Sequence, residues 1–409
     1  MTRTKGTEGV GEALEPEFTS IEICAGAGGQ AIGLHQAGFS HLALVEIDKF
    51  AAATLQTNIE KHKIWATEGR YCDEIEPRDV KEFKPDEHVT KGAELLRRRG
   101  GLDLLAGGVP CPPFSHAGKQ LGRADERDLF PDMLRLVAEL KPKAVMIENV
   151  RGIKDPKFSE YRQWITSRLE DGLHVGEDGC EFDEKAPRYK VVGWEVLEAS
   201  DFGVPQLRPR AILVAFRTDV LKGLENSFVW PEPTHEEPVS VAEALEPSMR
   251  ERFDRYLGGI HAEQANEAFE RWLKKANDRD AELKGKGGGI APTLVGGSKK
   301  HGGADLGPSR AKYAWRQLGV SGMGVANDID TCVEKGTEGR DLFRPEGPML
   351  TVRQAAIIQG FPEDWEFSGG KTAQYRQVGN AFPPPVAKAV GESIIAVLRA
   401  ARERDEKKL

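Results

Sequence analysis

Short apolar runs that end in glycine, proline or an acid recur along the first half of the chain, with amphipathic stretches between them. Ser20-Ile21-Glu22-Ile23-Cys24 reads as a strand that breaks into the turn Ala25-Gly26-Ala27-Gly28-Gly29. Ile32, Leu34 and Ala37 then recur as on one side of a helix. His41-Leu42-Ala43-Leu44-Val45 predicts a second strand that ends at Glu46-Ile47-Asp48, and a third is expected to end around Tyr71-Cys72-Asp73-Glu74-Ile75. Leu102-Asp103-Leu104-Leu105-Ala106 is a buried strand breaking into Gly107-Gly108-Val109-Pro110-Cys111-Pro112. Leu129, Met133, Leu136, Val137 and Leu140 predict a helix that packs on the sheet and is closed by Pro142. Ala144-Val145-Met146-Ile147 is the next strand, ending at Glu148-Asn149-Val150. Residues 171–188 read as an exposed acidic excursion, and Tyr189 to Ala199 and Arg210 to Phe216 as two antiparallel strands. Strands alternating with helices give an α/β fold with a mostly parallel sheet.

Beyond about residue 228 the pattern changes. A charged helical stretch over 243–283 leads into Lys284-Gly285-Lys286-Gly287-Gly288-Gly289 and a glycine-rich, loop-rich segment with Ser298-Lys299-Lys300-His301 and Arg310. The 409 residues allow two domains, or one large domain with an insertion, and 39% hydrophobic content supports a sizeable core. A net charge of −8 means that a nucleic-acid binder with this sequence must gather its basic residues on one face. Five scattered cysteines (24, 72, 111, 180 and 332), odd in number and without CxxC spacing, argue against a disulfide framework or a zinc site and for a reducing compartment. No run is expected to reach the length of a membrane span, and the polar N-terminus has no apolar signal-peptide core.

The strand ends carry the candidate chemistry. A glycine turn opening a helix, with the acidic Glu46 about twenty residues on, suits a nucleoside ligand; an N-cap acid is the alternative for Glu46. The turn lacks the full GxGxxG pattern and no P-loop follows, which disfavours a hydride-transfer dinucleotide enzyme or an NTPase. Asp73 suits an adenine amine or a solvated loop equally well. Flanking prolines hold Cys111 on a stiff turn at a strand end, although a lone cysteine is more often a buried core residue. Glu148, one βα unit later, faces the same crevice, unless it caps a helix or pairs in a salt bridge. Gln206, Arg208 and Arg210 alternate along an extended segment, where they share a face able to hold a carboxylate, a phosphate or a base edge; ordinary surface charge is the alternative. The charged, glycine-containing stretch from Ser115 to Arg127 reads as a lid touching a polyanion, or as a solvated loop.

Taken together, these segments resemble the S-adenosylmethionine-dependent cytosine-5 DNA methyltransferases of bacterial and phage type. The resemblance is carried by AGAGG, VEID, GGVPCPPFS, IENV and QLRPR in that order, and far downstream by TVRQAAIIQGFPEDW and YRQVGNAFPPPVAKAVG. It covers about 18–228 and about 347–400. It implies a Rossmann-like catalytic domain over 18–228, after a flexible tail at 1–17. A smaller loop-rich target-recognition domain over 229–346 follows, and a segment at 347–409 returns to complete the catalytic domain with its last helix beside the first strand. Cys111 is then the nucleophile that adds to carbon 6 of a flipped-out cytosine. Glu148 contacts the ring nitrogen and amino group, and Arg210, with Arg208 behind it, holds the carbonyl.

For the cofactor the resemblance implies Gly26, Ala27 and Gly29 around the methionine moiety, with Pro110, Asn380 and Ala381 closing the site. It places Glu46 on the ribose and Ile47 and Asp73 at the adenine. Cys24 stands where an aromatic is usual and Glu22 where aspartate is usual. DNA contacts are expected from Ser115, Lys119, Arg123, Gln206, Thr293, Lys299 and Lys300; no metal is expected. The expected partner is double-stranded DNA, with a cognate restriction endonuclease as a second candidate, for a monomeric cytoplasmic protein associated with the nucleoid. An RNA cytosine-5 methyltransferase acting on transfer RNA and a catalytically silent DNA-binding relative are the alternative readings.

Overall fold

The computed structural model describes residues 15–62, 65, 70–110, 128–176, 179–182, 186–284, 289–296 and 304–408. A six-stranded sheet carries the fold, in the order β2-β1-β3-β4-β8-β7. Strands β1 (Phe18–Ile23), β2 (Phe39–Val45), β3 (Leu104–Gly107) and β4 (Ala144–Val150) run parallel. The antiparallel strands β7 (Tyr189–Glu198) and β8 (Pro209–Arg217) extend the edge beyond β4. Ahead of β7 the excursion folds as a hairpin, β5 (Leu173–Gly176) with β6 (Gly179–Phe182).

The parallel strands are apolar almost throughout because both faces are covered. Alternate residues go to opposite layers. Ile21, Leu105, Val145 and Ile147 face one core with α3 (Ala93–Arg99), α4 (Phe130–Leu140) and α5 (Ser159–Asp171). Leu104, Ala106, Ala144 and Met146 face another, packed by α1 (Gly29–Ala37) and the C-terminal helix α11 (Pro384–Glu406). The last helix shares this core with Phe18 of β1. Close approach is what fixes it there: a Cβ on Gly33 would lie 2.3 Å from the Pro384 carbonyl oxygen and 2.6 Å from Ala387. The stretch Lys371–Glu406 is long and apolar enough by composition to cross a membrane, against the expectation of no such run. Of its apolar window, 72% is buried inside the protein, which assigns it to the core.

Among the described residues at 70–76 the expected third strand is not formed. Arg78 N–H donates to the Glu46 carbonyl at 2.7 Å, and one bridge joins Glu46 to Pro77. Proline has no N–H with which to continue a ladder, so pairing stops at that bridge.

A third core lies beyond the sheet. It joins α6 (Val241–Asp254), α7 (Ala262–Leu283) and Trp315 of α8 (Ser309–Gln317) to α9 (Val352–Gln359) and α10 (Lys371–Asn380). It reaches α2 (Lys49–Lys61) through Ala52, Leu55 and Ile59. The segment 241–350 thus shares its core with 352–381.

Candidate active and cofactor site

In this strand order β1 has β2 on one side and β3 on the other, so the chain reverses direction there, where open α/β sheets form a crevice beyond their carboxyl ends. After β1 the backbone turns through left-handed conformations at Cys24 (φ 51°), Gly26 (φ 56°) and Gly28 (φ 90°). That succession aims the amide of Gly26 at the Glu46 carboxylate, 2.7 Å away, while Glu46 also accepts from Asp48 N–H at 2.7 Å. Trp365 covers the turn and donates its indole N–H to the Ala27 carbonyl at 3.0 Å. Asp48 caps α2 by accepting from Phe50 and Ala51.

A cavity of about 320 Å³ opens above this turn. Gly26, Ala27, Glu46, Pro110, Asn380 and Ala381, all expected at the cofactor, line it, and so does Glu148. Gly29 does not line it; Gly29 lets α1 pass the C-terminal segment, since a Cβ there would meet the Phe382 carbonyl oxygen at 2.3 Å. Within the cavity wall Glu22, beside the Gln30 amide, and Arg376 Nε are buried with polar atoms that no strong hydrogen bond satisfies among the described residues. Such orphaned polar atoms of both charge signs suit a zwitterionic ligand end. A second cavity of about 420 Å³ shares Cys24, Glu46 and Pro110 with the first and is edged by Ile47, Val80 and Leu129. Ile47 is 63% exposed into this space. A polar chamber joined to an apolar one fits the amino-acid and adenine ends of S-adenosylmethionine.

Asp73 stands apart from both chambers. Its carboxylate accepts from Thr90 N–H at 2.5 Å and Thr90 hydroxyl at 2.8 Å, and it lines a different depression. Asp79 borders the apolar chamber instead. Without the third strand, the acid that arrives there is the one after the Pro77 bridge.

At the end of β4, Glu148 meets Arg210 of β8, with Nε and Oε1 2.8 Å apart. The antiparallel register pairs Glu148 with Ile212 and Val150 with Arg210, so the two side chains are diagonal neighbours. Burial pushes the Glu148 carboxyl above its usual range, with Arg210 and Arg208 pulling the other way. Burial also raises Glu46 and holds Glu22 well above the ordinary carboxylate range. Asn149 donates to the Val109 carbonyl at 2.8 Å and so fixes the exit of β3 toward Cys111. Cys111, Ser115, Lys119, Arg123, Lys299 and Lys300 lie outside the described residues.

Gln206 and Arg208 are not surface groups. Gln206 is fully buried; it donates to the Ile358 carbonyl at 3.2 Å and to the Gln359 side chain at 2.7 Å, and it accepts from Leu294 N–H at 2.7 Å. That burial removes it from DNA. Arg208, 1% exposed, donates to the carbonyls of Leu294 at 2.7 Å, Gly379 at 2.9 Å and Ala381 at 2.8 Å. It positions segments around the site rather than touching reacting atoms. Thr293 commits its hydroxyl proton to the Leu207 carbonyl at 2.5 Å, which pins the 291–294 segment along 206–207. Sequence reasoning missed Gln30, Asp79 and Arg376. Helical spacing offered a signal for the last: Ala373, Arg376, Gln377 and Asn380 fall on one face of α10, and all four line the cavity.

Residues 18–396 match the model of the C-5 cytosine-specific DNA methylases. The chain is 46% identical over 379 residues to the Type II methyltransferase M.NaeI of Lentzea aerocolonigenes, covering 92% of this chain and 75% of that one. It is 41% identical over 388 residues to the Type II methyltransferase M.NgoMIV of Neisseria gonorrhoeae, covering 94% and 99%. Among solved structures, the Entamoeba histolytica methyltransferase EhMeth superposes with a TM-score of 0.51 at 13% identity, over 92% of this chain and 98% of that one, which is a likeness of fold.

Proposed function

Because the chain belongs to the C-5 cytosine-specific DNA methylases, S-adenosylmethionine-dependent enzymes that methylate carbon 5 of cytosine in DNA, we propose that the Glu148–Arg210 pair is the base-holding half of its active site. The observation that carries this reading is the opening of Glu148 into the cofactor-sized cavity. A carboxyl raised by burial keeps or shares a proton at the cytosine ring nitrogen and accepts from the amino group, while Arg210 donates to the ring carbonyl. Cys111 adds to carbon 6, which makes carbon 5 nucleophilic, and leaves after carbon 5 loses its proton. A base must leave the duplex stack for this to happen.

S-adenosylmethionine supplies the methyl group. The turn at Gly26–Ala27 with Asn380 and Ala381 holds its amino-acid end, Glu46 its ribose, and Ile47, Cys24 and Asp79 its adenine. Asp79 takes the role expected of Asp73. The segment 229–346 reads the target sequence. Its shared core with 352–381 and the backbone ties of 291–294 to 206–208 support one rigid frame for both tasks. As the relatives at 41–46% identity are Type II methyltransferases, the enzyme acts beside a cognate endonuclease, as a monomer in the cytoplasm.

Bisulfite sequencing of plasmid DNA from a methylation-deficient host expressing the chain tests this. Protected cytosines in one short context are expected, absent with Cys111→Ala. Protection of host transfer RNA without protection of DNA would overturn the reading.

A further inference from the structure

Five charged side chains line the polar chamber: Glu22, Glu46, Asp48, Glu148 and Arg376. Three acids are already engaged. Glu46 accepts from the amides of Gly26 and Asp48, Asp48 caps α2, and Glu148 pairs with Arg210. Glu22 and Arg376 keep buried atoms without partners. Among the described lining residues, Arg376 is the only cation.

A ligand entering such a chamber with an α-amino-acid end brings an ammonium and a carboxylate together. The ammonium finds acids on the walls. The carboxylate, taken out of water, needs a charged donor, and Arg376 is the cation among the described lining residues. A guanidinium offers a planar fork that matches a carboxylate, and its N–H groups strengthen when desolvated. Arg376 sits one helical turn before Asn380 on the same face of α10, and it lines the polar chamber without edging the apolar one that Ile47 and Val80 border.

We propose that Arg376 binds the carboxylate of the cofactor's amino-acid end and selects for cofactors that carry it. This rests on the chamber being the cofactor site. The residue acts in recognition, and the methyl-transfer chemistry does not pass through it.

The test is calorimetric binding of two ligands to wild type, R376Q and R376K. One is S-adenosylhomocysteine. The other is S-adenosyl-3-thiopropylamine, which keeps the adenosine and the amine and lacks the carboxylate. Wild type is expected to prefer the first. R376Q is expected to lose roughly 10- to 100-fold in affinity for S-adenosylhomocysteine, the range of a charge-assisted hydrogen bond, while binding the carboxylate-free ligand as wild type does. That unchanged binding also reports an intact fold. R376K, which keeps the charge without the fork, is expected between the two and serves if R376Q does not fold. Equal affinity of wild type and variant for S-adenosylhomocysteine would overturn the proposal, as would a parallel loss for both ligands. Failure of wild type to bind either ligand would instead overturn the cofactor reading beneath it.

Discussion

Glu148 illustrates how one side chain takes its chemistry from its surroundings. Its strand delivers it to the crevice, burial raises it, and Arg210 2.8 Å away keeps it oriented. Glu148→Gln retains the shape and loses the exchangeable carboxyl. Methyl transfer to duplex DNA is expected to fall roughly 100- to 10,000-fold, the usual range for a positioned acid, with a much smaller change in the affinity for S-adenosylhomocysteine. Single-turnover kinetics and calorimetry separate the two. Glu22 presents the opposite case, a carboxyl buried with an orphaned oxygen and raised well above the ordinary range. The folded protein binds that proton more tightly than the unfolded chain. The associated stability is fully present below the unfolded value of about 4.3 and is lost as pH rises through the folded one. Glu22→Gln cannot ionise. In ligand-free thermal unfolding it is expected to match wild type near pH 4 and to exceed it progressively toward pH 8; a gap that closes with rising pH would contradict the assignment.

At the scale of elements, the extended segment 206–210 is the cross-tie of the molecule. Gln206 and Arg208 reach backbone groups at 294, 358, 379 and 381, separations of 86 to 173 residues. Removing the Arg208 guanidinium would leave the buried Leu294 and Gly379 carbonyls without its donors, while the Ala381 carbonyl keeps the Gln359 amide. Arg208→Met is expected to cost about 2–4 kcal/mol in urea unfolding and to weaken cofactor binding, because Gly379 and Ala381 flank Asn380. A stability loss below about 0.5 kcal/mol would remove the cross-tie role. The alternation of Gln206, Arg208 and Arg210 was legible before the structure, and it did place them together. Which way that face points was not. It turns inward for the first two and into the crevice for the third, because inner carbonyls at 294, 379 and 381 need donors, and local sequence does not contain them. The same limit explains Asp73. An acid after an apolar stretch looked like a strand end, but Pro77 stopped the pairing and Asp79 came to the chamber instead.

The whole molecule carries a net charge of −8, and a DNA substrate must nevertheless meet a basic face. Affinity for duplex DNA is expected to fall steeply between about 50 and 200 mM salt, since phosphate contacts release counterions. Fluorescence anisotropy across a salt series checks it, and a flat response would mean that phosphates contribute little. The packing is continuous: the core built by 241–350 extends through 352–381 to α2, so the segment proposed to read the target and the wall of the chamber belong to one packed body. By itself, the sequence determined the alternation of strands and helices, the glycine turn with its distant Glu46, and the acid at the end of β4. These are local patterns of burial and backbone geometry, and each is written within a few residues. Tertiary structure alone decided that Gln206 and Arg208 lie inside, that Asp79 rather than Asp73 borders the apolar chamber, and that Arg376 Nε is buried without a partner among the described residues in a chamber lined by acids. Those outcomes depend on which distant groups are buried together, and a buried polar group's partner is fixed by packing rather than by its neighbours in the chain.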